Sequence, residues 1–452
     1  MMTETWGVTT LGKSKFYRMD FPLAESGDSN SPVRDVTSRR GKARATLFEE
    51  LLSSEQIDVP LLRKACFHGI PDGPGLRSLC WKILLGYLGG DRRQWPEYLS
   101  QQRQLYERFV NEMVIESGSA DDQTCEDHPL NMNPDSRWQS YFKDNDVLLQ
   151  IDKDVRRLCP DISFFQQATQ YPCKKIVDDP LVDSLRERVE RTVLRSGAVQ
   201  RSRHGLTNVA LFKKIAIEEY TALPDGQEAH WEVVERILFI YAKLNPGVGY
   251  VQGMNEILGP IYHTLATDAD PEVREHAEGD SFFCFTQLMS AMRDFFLNAM
   301  DNTISGIGAM MDRFMNQLRS LDPELHQRLV HQDIKPQFYA FRWITLLLSQ
   351  EFSLPEVVRL WDSIFAMNER LDFGFLLSTC CAMVILLRED LLEGDFAHNM
   401  KLLQNFPHDE IDGSSIDVIL AKALCINDNE YTAFSKTASP PPGQPASAAT
   451  PR

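Results

Sequence analysis

Apolar residues recur at helical spacing along most of the chain, and one interruption between two such segments stands out. The segment 233–244 is apolar at the spacing of an α-helix, and a second such segment begins at Met254. Between them the sequence NPG at 245–247 predicts a break, because proline lacks the N–H and glycine readily leaves the helical region. The pattern therefore predicts two helices joined by a turn that holds Gln252 among glycines.

The remaining pattern is also helical. Amphipathic or apolar segments of helical spacing lie at 43–65, 147–158, 282–300 and 373–387, and alternating strands with hairpin turns are hardly visible. The last of these segments is about fifteen residues long, which is shorter than the ~20 that span a bilayer and predicts a buried core helix. The sequence therefore predicts an all-α fold.

Changes in composition place the boundaries of the predicted domain. Residues 1–42 are polar and residues 433–452 are rich in proline, alanine and serine, so both ends are predicted to be disordered. The ordered domain is expected at 43–410. It includes a less regular insert at about 162–230 that holds most of the arginine-rich sequence, where a solvated helix face is the favoured interpretation.

Charge and cysteine usage exclude several classes of function. The formal net charge of −17 argues against general binding of nucleic acid or of anionic lipid. Nine cysteines with no Cys-x-x-Cys pair predict reduced thiols in a cytoplasmic protein and no metal site. The N-terminal sequence MMTETWGVTT has no basic region followed by an apolar one, so no secretory signal is expected.

A phosphate-binding pattern near the N-terminus lacks the context that would make it work. Residues 7–14, GVTTLGKS, fit G-x-x-x-x-G-K-[ST]. Such a loop requires a preceding strand and a following helix that aim backbone amides at phosphate, and neither is predicted here. A chance match is the favoured interpretation, and an NTPase activity of the chain itself is a weak hypothesis.

Two polar residues instead fit the requirements of GTP hydrolysis. That reaction needs a positive group on the developing phosphate charge and an amide that orients the attacking water. Arg157 and Gln252 are candidates for these groups. Spacing alone leaves the alternative open, because an arginine three residues after Asp154 on a helix is usually a surface ion pair worth about 0 to 1 kcal/mol.

Four stretches in order resemble a known family. GLRSLCW, IDKDVRR, GYVQGMNE and FRWITLLLSQEF followed by LPEVVRLWD are similar to the TBC domain of Rab GTPase-activating proteins, over about residues 60–405. Ile151, Asp154 and Arg157 match the motif I-x-x-D-x-x-R, and Tyr250 and Gln252 match Y-x-Q. The resemblance implies the TBC helical architecture with two helical subdomains.

The resemblance also implies roles for the matched residues. Arg157 would be an arginine finger and Gln252 a glutamine finger, with Asp154 holding the arginine and Tyr250 docking the partner or shaping the turn. Arg77 and Trp81 match R-x-x-x-W and are expected to support the site structurally. Three further residues, Trp343, Trp361 and Asp362, are assigned to the core.

One departure from the family pattern leaves a rival finger. The family often has threonine after the finger arginine, whereas Leu158 follows here, and Arg156 directly precedes Arg157. Adjacent helical residues point about 100° apart, so only Arg157 shares the face of Asp154. We therefore assign the finger to Arg157.

The expected function is activation of a GTP-bound Rab-family GTPase in vesicle trafficking, with GTP and Mg²⁺ held by the partner and no cofactor bound by this chain. Membrane contact would be indirect, through the lipidated GTPase. The alternative is a scaffold that engages a GTPase without accelerating hydrolysis.

Overall fold

A computed structural model describes residues 33–115, 137–193, 223–224, 226–296, 306–369, 372–407 and 416–437. Over these ranges the protein is helical, and β-type pairing is limited to two isolated bridges, Gln56 with Asp91 and Ala168 with Ala229. The all-α prediction is confirmed. The pattern at 7–14 lies outside the described residues.

The first group of helices is built around the two apolar segments predicted at 233–244 and from Met254 onward. Its members are α1 (Val33–Ser53), α2 (Val59–Phe67), α3 (Leu76–Leu84), α4 (Trp95–Val110), α5 (Arg137–Val155), α6 (Lys174–Val177), α7 (185–193), α8 (His230–Leu244), α9 (Met254–Ala266), α10 (Pro271–Glu275) and α11 (Ala277–Met292). Helix α8 lies at the centre, because all but three of its fifteen residues are buried. It packs against α5, α9 and α11, and α4 covers α11.

The second group follows along the chain. Its members are α12 (Ile307–Leu321), α13 (Pro323–His331), α14 (Ala340–Thr345), α15 (Leu354–Met367), α16 (Gly374–Leu386), α17 (Arg388–Glu393), α18 (Phe396–Gln404) and α19 (Ile416–Thr437). Helix α16 is buried on nearly all sides between α12, α14 and α19, as its continuous apolar run predicted. Helix α15 contacts α2, α3 and α9 of the first group, and the described residues from Ala45 onward form one compact unit.

The ends of the described chain are more helical than the sequence indicated. Helix α1 begins at Val33, ahead of the expected start at residue 43, and α19 extends to Thr437. Residues 1–32 and 438–452 lie outside the described residues. The expected end of the domain at 410 is too early, because Ile419, Leu420 and Ala423 of α19 are buried against the rest of the protein.

Two helix boundaries depart from the local apolar pattern. Helix α5 begins at Arg137, ten residues before the apolar segment 147–158 that predicted it. Helix α14 ends at Thr345, although the apolar run continues to Leu348. Leu347 and Leu348 adopt φ values of 51° and 63° in the left-handed region, and the carbonyl of Leu347 accepts a 2.9 Å bond from Nε1 of Trp361. A tertiary contact therefore ends this helix.

The basic insert is only partly a solvated face. Arg188 is 4% exposed, donates a 2.7 Å bond from Nε to Asn145, and lies over the rings of Tyr141 and Phe239 at 4.4 and 5.5 Å. The interpretation of the charged helix as solvated is thus wrong for Arg188, which joins α7 to α5 and α8. The arginines beyond residue 193 lie outside the described residues.

Candidate functional site

The candidate arginine finger lies directly after a helix end. Helix α5 stops at Val155, and its last turn tightens, because the N–H of Arg157 bonds to the carbonyl of Asp154 at 3.1 Å. Cys159 then adopts φ of 43° and Pro160 follows, which prevents the helix from continuing. Arg157 therefore lies in the turn beyond the helix, whereas the apolar segment 147–158 had predicted that it lies within the helix.

The two neighbouring arginines point into different surroundings. Nη2 of Arg157 donates to Oδ1 of Asp154 at 2.8 Å, Nε donates to the carbonyl of Lys153 at 3.0 Å, and the side chain is 64% exposed. Arg156 instead bonds to Asp152 at 2.8 Å and lies 4.7 Å from the centre of the Trp231 ring. Arg157 is therefore the more exposed of the two, since the side chain of Arg156 is only 19% exposed.

The candidate glutamine finger lies in the predicted turn between α8 and α9. Asn245 ends α8, and its carbonyl accepts the N–H of Gly249 at 2.7 Å. Gly253 has φ of 102°, a conformation that glycine adopts at little cost, and α9 begins at the next residue. Gln252 is exposed, and its side chain forms no hydrogen bond within the described part of the chain.

One buried carboxylate connects the two candidate fingers. The side chain of Asp154 is 7% exposed, and its Oδ2 accepts a 2.9 Å bond from the hydroxyl of Tyr250 while Oδ1 holds Arg157. Tyr250 is itself 8% exposed and lies two residues before Gln252, which is a reach of at most ~7 Å of chain. The arginine and the glutamine, 95 residues apart in sequence (252 minus 157), are thereby brought into one region of the surface.

Asn255 and Glu256 complete this region, although the sequence did not single them out. Nδ2 of Asn255 donates to the carbonyl of Asp154 at 3.3 Å and to Oε1 of Glu256 at 3.0 Å, and its Oδ1 lies 3.4 Å from the hydroxyl of Tyr250. The signal that was available is their position within GYVQGMNE, directly after the Y-x-Q motif.

Burial controls the electrostatics of the region. The pKa of Tyr250 is raised well above its usual range, first by burial and then by the charge of Asp154, so the phenol stays protonated and can donate. The pKa of Glu256 is also raised by burial, while hydrogen bonds from Asn255 and Gln350 oppose the increase. The exposed guanidinium of Arg157 thus lies beside two carboxylates that other groups already hold in place.

Of the remaining supporting residues, Ile151 and Trp81 lie in the core and Arg77 is partly exposed. Ile151, one turn before Asp154, is fully buried, so its contribution is packing. Trp81 is fully buried and donates from Nε1 to Oδ1 of Asp362 at 2.7 Å, and Arg77 bonds through Nε to Oδ2 of Asp362 at 3.4 Å. Both residues therefore fasten α3 to α15 and do not bond to Asp154. Trp343 and Trp361 are also fully buried, as expected of core residues.

Leu158 explains how the chain accommodates its departure from the family pattern. The residue is fully buried, and a Cβ added at Gly259 of α9 would lie 2.9 Å from its Cδ1. The leucine side chain thus fills the narrow space between the turn after α5 and helix α9. It anchors the turn by packing, where a threonine would offer a hydroxyl.

The described residues lack two other kinds of feature. Across those ranges, no three His, Cys, Asp or Glu side chains are arranged to hold a metal ion. No helix in the described part of the chain is long and apolar enough to cross a membrane.

Comparison with known proteins gives the class. The Rab-GTPase-TBC domain family matches residues 222–392, a range that includes Gln252 and begins after Arg157. The crystal structure of the Ypt/Rab-GAP domain of Gyp1p matches the fold with a TM-score of 0.61 at 20% identity, over 86% of this chain and 99% of that domain. A TBC domain-containing protein of Schizosaccharomyces pombe is 38% identical over an alignment of 437 residues, which covers 80% of this chain and 70% of that protein. The chain belongs to the TBC domain family.

Within the family, a more specific similarity extends over most of the chain. TBC1 domain family member 13 of Mus musculus is 57% identical over 379 residues, and its counterpart of Homo sapiens is 56% identical. Each alignment covers 81% of this chain and 94% of the relative. The segments HPLN and PDSRWQSYFKDN, together with EHA and DSFFCF, already looked close to member thirteen in the sequence, and that resemblance is confirmed.

Proposed function

We propose that this protein stimulates GTP hydrolysis by a Rab-family small GTPase, to which it supplies Arg157 and Gln252 in trans. One observation carries the proposal. Asp154, a buried carboxylate, holds the exposed guanidinium of Arg157 through one oxygen and Tyr250, in the turn of Gln252, through the other. Membership of the TBC domain family and the names of its Rab-GAP relatives support the choice of partner.

Each exposed group has a distinct task in this mechanism. The guanidinium of Arg157 binds the phosphate oxygens on which negative charge develops, and it brings a fixed positive charge to a site from which water is excluded. The amide of Gln252 orients the attacking water, since it has both a donor and an acceptor. An arginine supplied in trans contributes about 10³ to 10⁵ in rate.

Two features ease the release of Arg157 from Asp154. The guanidinium is 64% exposed, so solvent screens its end of the ion pair, although the side chain of Asp154 is only 7% exposed. When the guanidinium moves to the phosphate, Asp154 keeps its hydrogen bond from Tyr250, so the buried carboxylate is not left without a partner. The same contact that orders the arginine in the free protein therefore does not trap it there.

The partner supplies the rest of the chemistry. GTP and Mg²⁺ are bound by the GTPase in its GTP-bound state, and this chain needs no cofactor and hydrolyses no nucleotide alone. The protein acts in the cytoplasm and reaches membranes only through the lipidated GTPase, where it regulates vesicle trafficking.

Single-turnover GTP hydrolysis by a panel of Rab proteins tests the proposal. The wild-type protein is expected to accelerate at least one Rab, and Arg157→Ala and Gln252→Ala are each expected to remove nearly all of the acceleration. Two matched controls, Arg293→Ala and Gln101→Ala, are expected to act like wild type. Arg293 is 61% exposed and lies 3.8 Å from a neighbouring carboxylate, and Gln101 is an exposed glutamine on α4.

The other outcomes separate the alternatives. A Rab that is accelerated equally by Arg157→Ala would refute the finger assignment. Tight binding to one Rab without acceleration of any would favour the scaffold. Nucleotide hydrolysis by the protein alone, abolished by Lys13→Ala, would favour an NTPase.

A further inference from the structure

Asn255 lies where the two halves of the site meet. It is 3% exposed and occupies the first turn of α9, three residues after Gln252. Its Nδ2 reaches across to the carbonyl of Asp154, next to the end of α5. The side chain therefore joins the end of α5, just before one candidate finger, to the start of α9, just after the other.

The acceptor of this bond is the point from which Arg157 emerges. The carbonyl of Asp154 accepts two N–H groups, the backbone N–H of Arg157 at 3.1 Å and Nδ2 of Asn255 at 3.3 Å. The last carbonyls of a helix lack partners within the helix, and a side chain from elsewhere can satisfy them. Asn255 thus caps α5 from outside and fixes the peptide group to which the arginine backbone is bonded.

The chemistry of this position requires an amide. The two hydrogens of Nδ2 are both used, because one is donated to the carbonyl of Asp154 and the other to the carboxylate of Glu256 at 3.0 Å. An aspartate of the same shape would have no hydrogen to donate at neutral pH. It would instead place an acceptor against two acceptors, which is unfavourable in a buried environment.

We propose that Asn255 is a positioning residue for the GTPase-activating reaction, because it sets the backbone of Arg157 relative to the turn of Gln252. The inference rests on the proposed function. It predicts that loss of the amide leaves binding of the GTPase intact and displaces the two fingers from each other. A displacement of about 1 Å at a catalytic group lowers the rate by up to about 100-fold.

Asn255→Asp tests the inference in single-turnover GTP hydrolysis over a range of activator concentrations, with a Rab that the wild type accelerates. The rate at saturating activator is expected to fall about 10- to 100-fold, while the half-saturating concentration changes less than about threefold. Asn255→Ala, which adds no charge, is expected to show the same separation and serves if the aspartate variant does not fold.

Asn399→Asp is the matched control. Asn399 on α18 is fully buried, and its Nδ2 donates at 2.8 Å to Gln332 and at 2.8 Å to the carbonyl of Leu391. It makes the same kind of bonds but none to the site. Its loss is expected to lower stability while the saturated rate of the folded protein stays at the wild-type value.

A double-mutant cycle with Arg157→Ala shows whether Asn255 acts through the arginine. If it does, Asn255→Asp lowers the rate less in the Arg157→Ala background than in the wild type, because no arginine remains to be displaced. Independent, multiplicative losses would overturn the inference, and so would a wild-type saturated rate in both Asn255 variants. If the wild type accelerates no GTPase, the proposed function fails; if it does and only the Asn255 results are negative, the inference alone fails.

Discussion

Replacing Gly253 with alanine should strain the turn that carries Gln252. Gly253 has φ of 102°, where a side chain is disfavoured, and an added Cβ would lie 2.7 Å from Cδ2 of Leu346. Carbon atoms in contact normally lie about 3.5 to 4.0 Å apart. The substitution therefore combines backbone strain with a collision against a side chain from the turn after α14.

The two costs can be separated by a second glycine in the same turn. A residue held in a sparsely populated backbone region costs about 1 to 3 kcal/mol, and overpacking of a core site costs a further 1 to 3 kcal/mol or so. Gly253→Ala is thus expected to lower the free energy of unfolding by about 2 to 6 kcal/mol. Gly249 has φ of 66° with nothing within 4 Å of an added Cβ, so Gly249→Ala pays only about 1 to 2 kcal/mol of strain.

Equilibrium unfolding in urea measures both variants, from the midpoint at constant slope. Leu346→Ala provides the second side of a double-mutant cycle. Alone it should cost about 2 to 5 kcal/mol, because Leu346 is 8% exposed. Combined with Gly253→Ala it should cost less than the sum of the single changes, because the new methyl group occupies space that the leucine vacates.

Two results would refute this reasoning. One is a Gly253→Ala protein that is as stable as Gly249→Ala, since the collision would then have no cost. The other is strict additivity with Leu346→Ala, which would mean that the alanine at 253 and the leucine do not meet.

Two further predictions concern stability. Glu235 is fully buried with no hydrogen-bond partner for its carboxylate in the described chain, and burial, with the charges of Asp152 and Glu232, raises its pKa well above 4.5. A raised pKa gives stability that is present below about pH 4.5 and is lost as the pH rises towards the pKa of the folded state. Glu235→Gln should therefore stabilise the protein at neutral pH, and its gain over the wild type should grow by up to about 1.4 kcal/mol per pH unit. Equal urea midpoints of the two proteins at every pH would contradict this. Leu420 in α19 is 2% exposed, so Leu420→Ala should lower the free energy of unfolding by about 2 to 5 kcal/mol. Val418 on the same helix is 38% exposed, so Val418→Ala should change the urea midpoint little. Equal effects of the two substitutions would mean that α19 is not packed as described.

The sequence predicted those parts of the fold in which a strong local pattern and the tertiary environment agree. The apolar run of α16 is long enough to require burial, and Pro246 with its neighbouring glycine ends α8 where expected. Helix α19 was missed because it follows a break in the pattern, and its apolar residues become informative only once its packing against α16 is known. The end of α14 was missed because the bond from Trp361 to Leu347 is a tertiary contact.

The residues of the candidate site also divide into those that a local sequence motif identifies and those that only a tertiary contact identifies. Asp154, Arg157, Tyr250 and Gln252 were selected by motifs, and in the structure Arg157 and Tyr250 each bond to the carboxylate of Asp154. Their catalytic roles remain predictions. Asn255 was not selected, because its importance depends on which carbonyl lies opposite its amide, and no local pattern specifies that partner.

The bonds from Tyr250 and Asn255 to Asp154 also close a loop of nearly one hundred residues. Closing a flexible loop becomes more costly only slowly with its length, by about 0.6 kcal/mol for each doubling. Because the ends are fastened at one residue, exposed stretches between them, such as the loop around Leu181, can change in length without moving the fastened ends. Phe165 and Arg188 of the same insert are buried, so packing constrains their replacement while the surface beside them can diverge.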